Sequence, residues 1–502
     1  MDTVNSEIIA KINYIPKTLE FTFDEFVEVK NANKEVFISP ALVYRPKIIS
    51  RGKKIQVVFD KREVLKPNTT YNINFGNAIV DFHEGNVLKN FGYYFATGDK
   101  IDSLQVGGQV FNALTNEPET ELLVGLFSNE NDSIVFNERP IYVTRLEDDG
   151  KFQFKYISSG SFIIAAIDDK NSNFKYDPVN EKIGFVTDAI TLTDSMQSYT
   201  FYSSISKSAP IIIGKQINSY GQAYFKYTNL PDSLSIVSNP EVPLQYDTNL
   251  DTLFVMYQTD LDSFQLMVNS DTFQIKVRNR EKWAEKYSFI NYKIKESTLL
   301  VSDTLHLKMN TPFNIIDTSK IVIFDSTRYL KKLNIIHSGR KLSVVYPWTA
   351  GKKYTFVIDS AALSDIYGKV NDSIKHEFLT LTTKELCNYT VTIKGLSQDT
   401  NYVINILRRD KSILASKNIS NDTIARFELK QIRPEGYDIE IFEDINKNNR
   451  WDPGDYLLKR QPEKYKLFKG EQLKPDRDFD KDISWLSSPI ESEEKALTPK
   501  GK

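Results

Sequence analysis

Two stretches of the sequence carry oxygen-bearing side chains at spacings that suit a hard cation. In the later stretch, FEDINKNNRWDPGDY, Asp or Asn stands at relative positions 1, 3, 5 and 9, Arg at 7 and Asp at 12; these residues are Asp444, Asn446, Asn448, Arg450, Asp452 and Asp455. Side-chain oxygens at these positions, with a backbone carbonyl at position 7, are the ligands with which a calcium loop wraps one ion. The stretch therefore predicts a structural Ca²⁺ site.

The same ladder of side chains occurs earlier in the chain, in AIDDKNSNFKYDP. Its positions 1, 3, 5 and 9 are held by Asp169, Asn171, Asn173 and Asp177. Phe174 stands at the turn position where calcium loops carry glycine, so this copy predicts a weaker metal site. The alternative for both stretches is an Asx-rich turn, in which Asn and Asp side chains bond to their own backbone without an ion.

Both ladders follow runs in which apolar and polar side chains alternate, as they do in strands with one buried face. Tyr (26) and Phe (31) are abundant, and Val, Ile and Thr recur in short runs separated by Pro, Gly and Asn turns, a composition that favours strands over helices. At 502 residues the chain is too long for one core. We therefore predict an all-β protein, with antiparallel β-sandwiches in tandem along an elongated multidomain chain.

Internal repetition indicates that two kinds of module each occur twice. GKKIQVVF at 52–59 matches GRKLSVVY at 339–346. The smaller units that follow share the spacing of their alternating apolar residues, which are Phe152, Phe154, Phe162, Ile164 and Ala166 in the first unit and Phe427, Leu429, Tyr437, Ile439 and Ile441 in the second. The predicted division is a sandwich at 1–100, a smaller sandwich at 101–205, a β-rich middle domain at 206–295, a second copy of each sandwich at 296–384 and 385–486, and a disordered tail at 487–502.

Charge and cysteine content exclude several classes of protein. Lys and Arg (64) nearly balance Asp and Glu (66), so the net charge does not indicate a nucleic-acid-binding surface. Cys387 is the single cysteine, which excludes an intramolecular disulfide and a thiolate cluster; its place at the start of an apolar run predicts a small buried strand residue.

No apolar stretch of 18 residues occurs, so we predict no transmembrane segment. Met1 is followed directly by DTVNSEII, without a basic and apolar leader. Taken literally, this start predicts a chain that is not exported. The same start also fits a mature form that has lost its leader.

Several passages resemble the domains of Bacteroidota envelope lipoproteins. LEFTFDEFVEV and LKPNTTYNINFGNAIVDFHEGNVLKNFGYYFATGD resemble the bacterial Ig-like domain of the S-layer type. The units ending in DDKNSNFKYDP and EDINKNNRWDPGD resemble the carboxypeptidase-regulatory or transthyretin-like modules of such proteins. The resemblance covers most of residues 15–485. It implies Ig-like and transthyretin-like sandwiches and an outer-membrane-associated position in the cell envelope.

No catalytic residue and no cofactor other than Ca²⁺ is predicted, because the sequence contains no nucleophile elbow, phosphate loop or dinucleotide fingerprint. We predict a non-enzymatic binding or scaffolding protein. By resemblance its partner is an outer-membrane protein, such as a β-barrel complex, or a glycan, and the protein is an accessory subunit of an outer-membrane complex.

Two other functions remain open at this stage. One is a carbohydrate-binding surface protein, for which Trp348, Trp451 and Trp485 could form a stacking platform; their neighbouring prolines and strands favour core packing instead. The other is a glycosidase that uses a pair of carboxylates. Asp24 and Glu25 are such a pair in sequence, although alternation along a strand would place them on opposite faces.

Overall fold

The computed structural model describes residues 11–89, 91–129, 131–193, 196–206, 210–217, 221–277, 297–325, 328–330, 333–486 and 498–499. Half of these described residues lie in strands and 3% in helices. The predicted fold class, tandem antiparallel β-sandwiches in an elongated multidomain chain, is confirmed. The predicted disordered tail lies outside the described residues except for Thr498–Pro499, as does the 278–296 part of the predicted middle domain.

Module 1, residues 11–100, is a sandwich of short strands. Strand alternation sets its core, as in Thr18–Thr22, where Leu19 and Phe21 are buried between exposed neighbours. The elements are β1 (Thr18–Thr22), β2 (Val27–Val29), α1 (Ala32–Glu35), β3 (Phe37–Ser39), β4 (Lys47–Arg51), β5 (Lys54–Val58), β6 (Thr70–Asn74), β7 (Ile79–Asp81), β8 (Val87–Leu88) and β9 (Gly92–Ala96). The strands form three sheets, β1-β5-β4, β2-β7-β8 and β3-β6-β9.

Module 2, residues 101–206, is an eight-stranded sheet with two apolar clusters. Its elements are β10 (Leu104–Asn112), β11 (Leu123–Ser128), α2 (Ile134–Asn137), β12 (Tyr142–Arg145), β13 (Lys151–Ile157), β14 (Gly160–Ile167), β15 (Lys182–Phe185), β16 (Ile190–Leu192) and β17 (Gln197–Ile205). The order is β12-β11-β14-β15-β17-β10-β13, with β16 beside β14. Its first and last strands, β10 and β17, run parallel, an exception to the predicted antiparallel pairing.

Module 3, residues 210–277, packs a four-stranded sheet, β18-β19-β22-β21, against a three-stranded sheet, β20-β23-β24. Inward-facing Phe225, Val255 and Leu266 are fully buried between them. The strands are β18 (Ile212–Gln216), β19 (Gln222–Tyr227), β20 (Ile236–Asn239), β21 (Leu244–Asn249), β22 (Thr252–Tyr257), β23 (Ser263–Val268) and β24 (Asp271–Lys276).

Module 4, residues 297–382, is built as module 1 is. Its elements are β25 (Thr298–Leu299), β26 (Leu305–Lys308), β27 (Phe313–Ile316), a 3₁₀ turn (Thr318–Lys320), β28 (Ile321–Asp325), β29 (Arg328–Leu330), β30 (Asn334–Ser338), β31 (Lys341–Val345), β32 (Lys353–Ile358), β33 (Leu363–Asp365) and β34 (Ile374–Thr380). The pairs β26-β31, β30-β31, β27-β33, β28-β32 and β32-β34 repeat β1-β5, β4-β5, β2-β7, β3-β6 and β6-β9.

Module 5, residues 383–486, repeats most of the strand pairing of module 2 but forms two sheets. Its elements are a 3₁₀ turn (Thr383–Glu385), β35 (Cys387–Lys394), β36 (Tyr402–Leu407), β37 (Ile413–Ile419), β38 (Ile424–Ile432), β39 (Asp438–Glu443), β40 (Tyr465–Phe468) and β41 (Asp478–Ser484), to which β42 (Thr498–Pro499) adds. The sheets are β38-β35-β41-β42 and β37-β36-β39-β40. As in module 2, the first strand, β35, runs parallel to the last long strand, β41.

The lone cysteine and the tryptophans have structural positions. Cys387 is buried at the start of β35, where burial raises the pKa of its thiol to about 11, as expected for an unreactive strand residue. Trp348 and Trp485 are buried in the cores of modules 4 and 5, and Trp451 donates its indole N–H to the carbonyl of Glu463 (2.7 Å). The predicted core packing of the buried pair is confirmed. No helix in the described ranges is long and apolar enough to cross a membrane.

Modules 1 and 4 share a turn that is held by one aspartate. In module 4, the buried Asp365 accepts hydrogen bonds from the backbone N–H groups of Tyr367 and Lys369 (both 2.9 Å) and from the hydroxyl of Thr311 (2.9 Å). In module 1, Asp81 accepts from two backbone N–H groups in the same turn. The carboxylate accepts hydrogen bonds from backbone N–H groups in the turn after β33, so it stabilises the turn.

Replacement of Asp365 by alanine is therefore expected to loosen this turn. The loss of hydrogen bonds to a charged group, two of them from backbone donors, costs about 2–4 kcal/mol. Hydrogen exchange on the full chain should show faster exchange at Tyr367 and Lys369. The exposed Asp372→Ala variant is the control, and equal protection in both variants would contradict the role of Asp365.

Candidate functional site

The loop that leaves β39 brings four of the predicted ligand residues together. The carboxylate of Asp444 accepts hydrogen bonds from the backbone N–H groups of Asn448 (2.9 Å) and Asn449 (3.0 Å). The carboxylate of Asp452 accepts the side-chain amides of Asn446 (2.5 Å) and Asn448 (2.7 Å). Aspartate and asparagine side chains thus fold the loop around themselves, which is the bonding pattern of an Asx-rich turn.

The loop that leaves β14 has the same construction. Asp169 accepts the backbone N–H groups of Asn173 (2.9 Å) and Phe174 (3.1 Å), as Asp444 does for the equivalent residues. Both loops also place the same two positions in the left-handed region: φ is 58° and 64° at Ser172 and Phe174, and 60° and 61° at Lys447 and Asn449. The two ladders in the sequence therefore encode one loop conformation, used twice.

A glutamate closes each loop, and its place in the second loop is far from the ladder in sequence. The carboxylate of Glu463 accepts hydrogen bonds from the backbone N–H groups of Ile445 (2.8 Å) and Asp452 (2.9 Å). The carboxylate of Glu181 accepts hydrogen bonds from the backbone N–H groups of Lys170 (3.1 Å) and Asp177 (2.8 Å). Glu181 lies beside position 12 of its ladder, whereas Glu463 lies 19 residues after Asp444. The spacing of a calcium loop therefore gave no signal for Glu463.

Asp455 lies apart from the other predicted ligands, whereas Arg450 contacts one of them through its backbone and turns its side chain away. Asp455 accepts the backbone N–H of Leu458 (3.1 Å) in the next turn, because Pro453 and Gly454 lead the chain away from the loop. Arg450 donates its backbone N–H to Asn448 Oδ1 (2.8 Å) and its guanidinium to Asp232 of module 3 (2.6 Å). The side chain at the closing position is Glu463 and not Asp455.

The second loop buries three carboxylates without a basic partner. Asp444, Asp452 and Glu463 are 3%, 7% and 3% exposed, and none of them forms an ion pair with a described residue. Burial, followed by the charges of Asp452 and Asp444, raises the pKa of Glu463. Buried carboxylates without a cation are unfavourable unless they are protonated or bind a metal. The donor chemistry of the loop therefore fits a hard cation.

The side chains of the loop are not arranged as the ligands of a complete metal site are. In the described part of the chain, no three His, Cys, Asp or Glu side chains are grouped so as to hold an ion. The side-chain amides of Asn446 and Asn448 point their nitrogens toward Asp452. Calcium binding would require both amides to rotate so that their oxygens face the ion instead. Calcium at either loop stays a prediction; at the second loop, Asp444, Asp452 and Glu463 would hold it, and the ion would brace the turn.

The chain that follows the second loop docks on module 2. Tyr456, 1% exposed, enters an apolar cluster of module 2 and packs edge-to-face on Phe185, with ring centroids 5.2 Å apart. Gly454 donates its N–H to the hydroxyl of Ser204 (2.9 Å), and the amide of Gln461 donates to the carbonyl of Phe185 (3.0 Å). We call residues 453–461 the docking segment; its contacts join residues more than 200 positions apart in the sequence.

Comparisons with known proteins identify one domain. Residues 10–97, which span module 1, match the family model described as bacterial Ig-like domain. No curated protein matches the chain. The fold and this match define a multidomain β-sandwich protein whose first module is similar to the bacterial Ig-like domain.

Several solved structures are similar to the chain at low identity. The Bacillus anthracis TIE protein is 8% identical, with a TM-score of 0.16, over 95% of this chain and 72% of that one. SGBP-B of the Bacteroides ovatus mixed-linkage glucan utilization locus, solved with a mixed-linkage heptasaccharide, is 8% identical, with a TM-score of 0.17, over 74% and 94%. The S-layer protein rSbsC is 11% identical, with a TM-score of 0.14, over 92% and 66%.

If the second loop binds calcium, titration calorimetry on the full chain will show uptake that Asp444→Ala reduces. Asp455→Ala is the matched control, because its side chain lies in the next turn, and it is expected to bind as the unmodified chain does. Absence of heat at millimolar calcium would remove the prediction.

The same titration should depend on pH. The raised pKa of Glu463 means that its protonated form favours the fold below the usual glutamate range, and that this contribution is lost as the pH rises through the raised value. Calcium needs the ionised form, so its uptake should release a proton in mildly acidic buffer and weaken on acidification. Glu463→Gln should abolish the proton release; an unchanged release would assign it to another group.

The docking of module 5 should depend on the ring of Tyr456. Removal of a buried aromatic side chain costs about 3–5 kcal/mol, so Tyr456→Ala is expected to release the docking segment and raise the radius of gyration in small-angle X-ray scattering. Tyr456→Phe should stay docked, because the buried hydroxyl has no hydrogen-bond partner among the described residues. Equal scattering from the alanine and phenylalanine variants would contradict the role of the ring.

Proposed function

We propose that this protein is a non-enzymatic scaffold of the bacterial cell envelope, an accessory subunit that presents surfaces to an outer-membrane partner. The observation that carries the proposal is the docking of module 5 on module 2. A chain that only linked independent domains would not need a tyrosine ring buried between two of them. The contact supports a role in which module positions matter.

Further contacts between modules support the same role. Arg145 of module 2 pairs with Glu35 of module 1 at 2.7 Å, and both side chains are largely buried. The hydroxyl of Tyr367 in module 4 donates to the carbonyl of Gly221 in module 3 (2.6 Å). Arg433 of module 5 donates to the carbonyl of Thr298 in module 4 (2.7 Å). Each contact joins specific atoms, so each limits the rotation of one module on the next.

The positions of the acidic side chains favour binding over chemistry. Glu25 does meet another carboxylate, that of Asp81, and this raises the pKa of Glu25. Asp81 organises the turn after β7 through two backbone N–H groups, and Glu25, between β1 and β2, is hydrogen-bonded directly to it. The two carboxyl groups therefore do not face each other across a cleft as a glycosidase requires. Asp24 and Glu25 themselves follow the end of β1 at Thr22, so the strand alternation predicted for them does not apply.

The envelope location and the kind of partner follow from the domain type and from the resemblance to Bacteroidota envelope lipoproteins. A bacterial Ig-like domain at residues 10–97 suits an exported protein. Glycan binding is the second candidate, but burial removes Trp348 and Trp485 as a stacking platform. A protein partner is therefore the form of the proposal that we favour.

Affinity purification from detergent-solubilised envelopes tests the proposal. The tagged chain is expected to recover one stoichiometric outer-membrane protein, and Tyr456→Ala is expected to recover less of it, because the surfaces would no longer be held together. Tyr456→Phe is the control. Recovery of no partner by the unmodified chain, or retention of the chain on an immobilised glycan instead, would contradict the protein scaffold.

A further inference from the structure

An open apolar cleft lies where module 1 meets module 2. It has a volume of about 140 Å³. Apolar side chains from both modules form its walls, among them Phe37, Leu42, Ile48, Val143 and Phe174. The neighbouring Val43 is 82% exposed, so apolar surface continues outward from the cleft.

Phe174 is present in this wall because of the first acidic loop. Its φ of 64° lies in the left-handed region, where a bulky residue is strained and glycine is favoured. The conformation turns the ring toward module 1, where it packs edge-to-face on Phe37 with centroids 5.8 Å apart. The equivalent residue of the second loop is Asn449. The loop conformation itself does not require an aromatic residue at this position, and the ring of Phe174 serves the cleft.

The size of the cleft limits what can fill it. An apolar cavity of roughly 150 Å³ holds one benzene-sized group, whereas sites that enclose a whole small molecule measure about 300–1,000 Å³. The cleft therefore fits one aromatic or branched side chain. A side chain that projects from a protein partner matches this volume, and such an anchor in a pocket is typical of protein interfaces.

Two arginines give the cleft its charge. Arg45 and Arg139 both line it, and neither forms an ion pair with a carboxylate among the described residues. Arg45 donates one nitrogen to the carbonyl groups of Ala32 and Asn33 (2.8 and 2.6 Å), which fixes its position. The Arg139 guanidinium lies 5.5 Å from the ring centroid of Phe174. Partial desolvation of the guanidinium, and then the charge of Arg139, lowers the pKa of Arg45, although the residue as a whole is exposed.

We propose that this cleft binds an acidic segment of a protein partner, with one aromatic or aliphatic side chain of the segment in the apolar cleft and its flanking carboxylates on Arg45 and Arg139. Two positive charges beside an apolar wall are complementary to this chemistry. The inference rests on the proposed scaffold function and names the partner segment that it would present.

Fluorescence anisotropy on the full chain tests this site with a blocked, labelled peptide in which one phenylalanine stands between pairs of aspartates. The peptide is expected to bind, and its affinity is expected to fall as salt is added. A peptide with lysines in place of the aspartates, or with alanine in place of the phenylalanine, is expected not to bind. Equal binding of the lysine peptide would overturn the proposal.

Two variants locate the binding. Arg139→Glu is expected to weaken the aspartate peptide about tenfold or more, because it replaces attraction by repulsion, and to let the lysine peptide bind. Arg477→Glu, an exposed site in module 5, is the matched control. Val43→Asp tests the rim of the cleft at a residue too exposed to affect folding and should also weaken the peptide. Unchanged affinity in Arg139→Glu and Val43→Asp would exclude the cleft.

The result can be separated from the test of the scaffold function. If the Arg139→Glu chain still recovers the envelope partner in full, the scaffold function stands and the cleft is not the contact. If the unmodified chain binds the peptide but recovers no partner, the cleft is a peptide site and the scaffold function is wrong.

Discussion

The burial of one tyrosine ring holds module 5 against module 2. Tyr456 lies in module 5 by sequence, yet its ring completes an apolar cluster of module 2. The segment that carries it begins where the acidic loop ends, and the backbone of Asp452 pairs with that of Glu463 on the far side. The loop fixes the two ends of the docking segment, and the ring fixes its middle. The hydrogen-bonded loop of module 5 thereby helps to position module 5 against module 2.

Duplication gave this protein two copies of one loop, and the copies have different neighbours. In module 5 the residues after the loop reach module 2. In module 2 the loop itself reaches module 1 through Phe174. Both contacts use an aromatic side chain, which lies within the first loop at Phe174 and in the docking segment after the second loop at Tyr456.

Local pattern was enough to predict much of the fold. Alternation predicts strands because each buried strand face repeats every second residue, as Leu19 and Phe21 show. The repeated spacings predicted two pairs of modules, and the matching strand pairs have the same cause. Asp444 and Asp169 were found because the bonds they make are local, to residues four and five positions ahead.

Contacts between residues far apart in sequence were beyond the same reasoning. Glu463 closes its loop across an insertion, so no spacing rule includes it. Tyr456 resembles any aromatic residue after a turn, and only its burial on Phe185 distinguishes it. The parallel pairing of β10 with β17 was also missed, because alternation is the same in parallel and antiparallel strands when one face is exposed. The direction of pairing is a property of the assembled sheet.

That parallel pairing has a mechanical consequence. In modules 2 and 5 the first strand lies beside the last, and each pair is joined over seven residue positions. Tension between the two ends of either module pulls the strands lengthwise past each other. The load then falls on the whole set of bonds together, and not on one bond after another as in a hairpin that is pulled open. Both modules have the geometry of a shear clamp, which resists stretching along the chain.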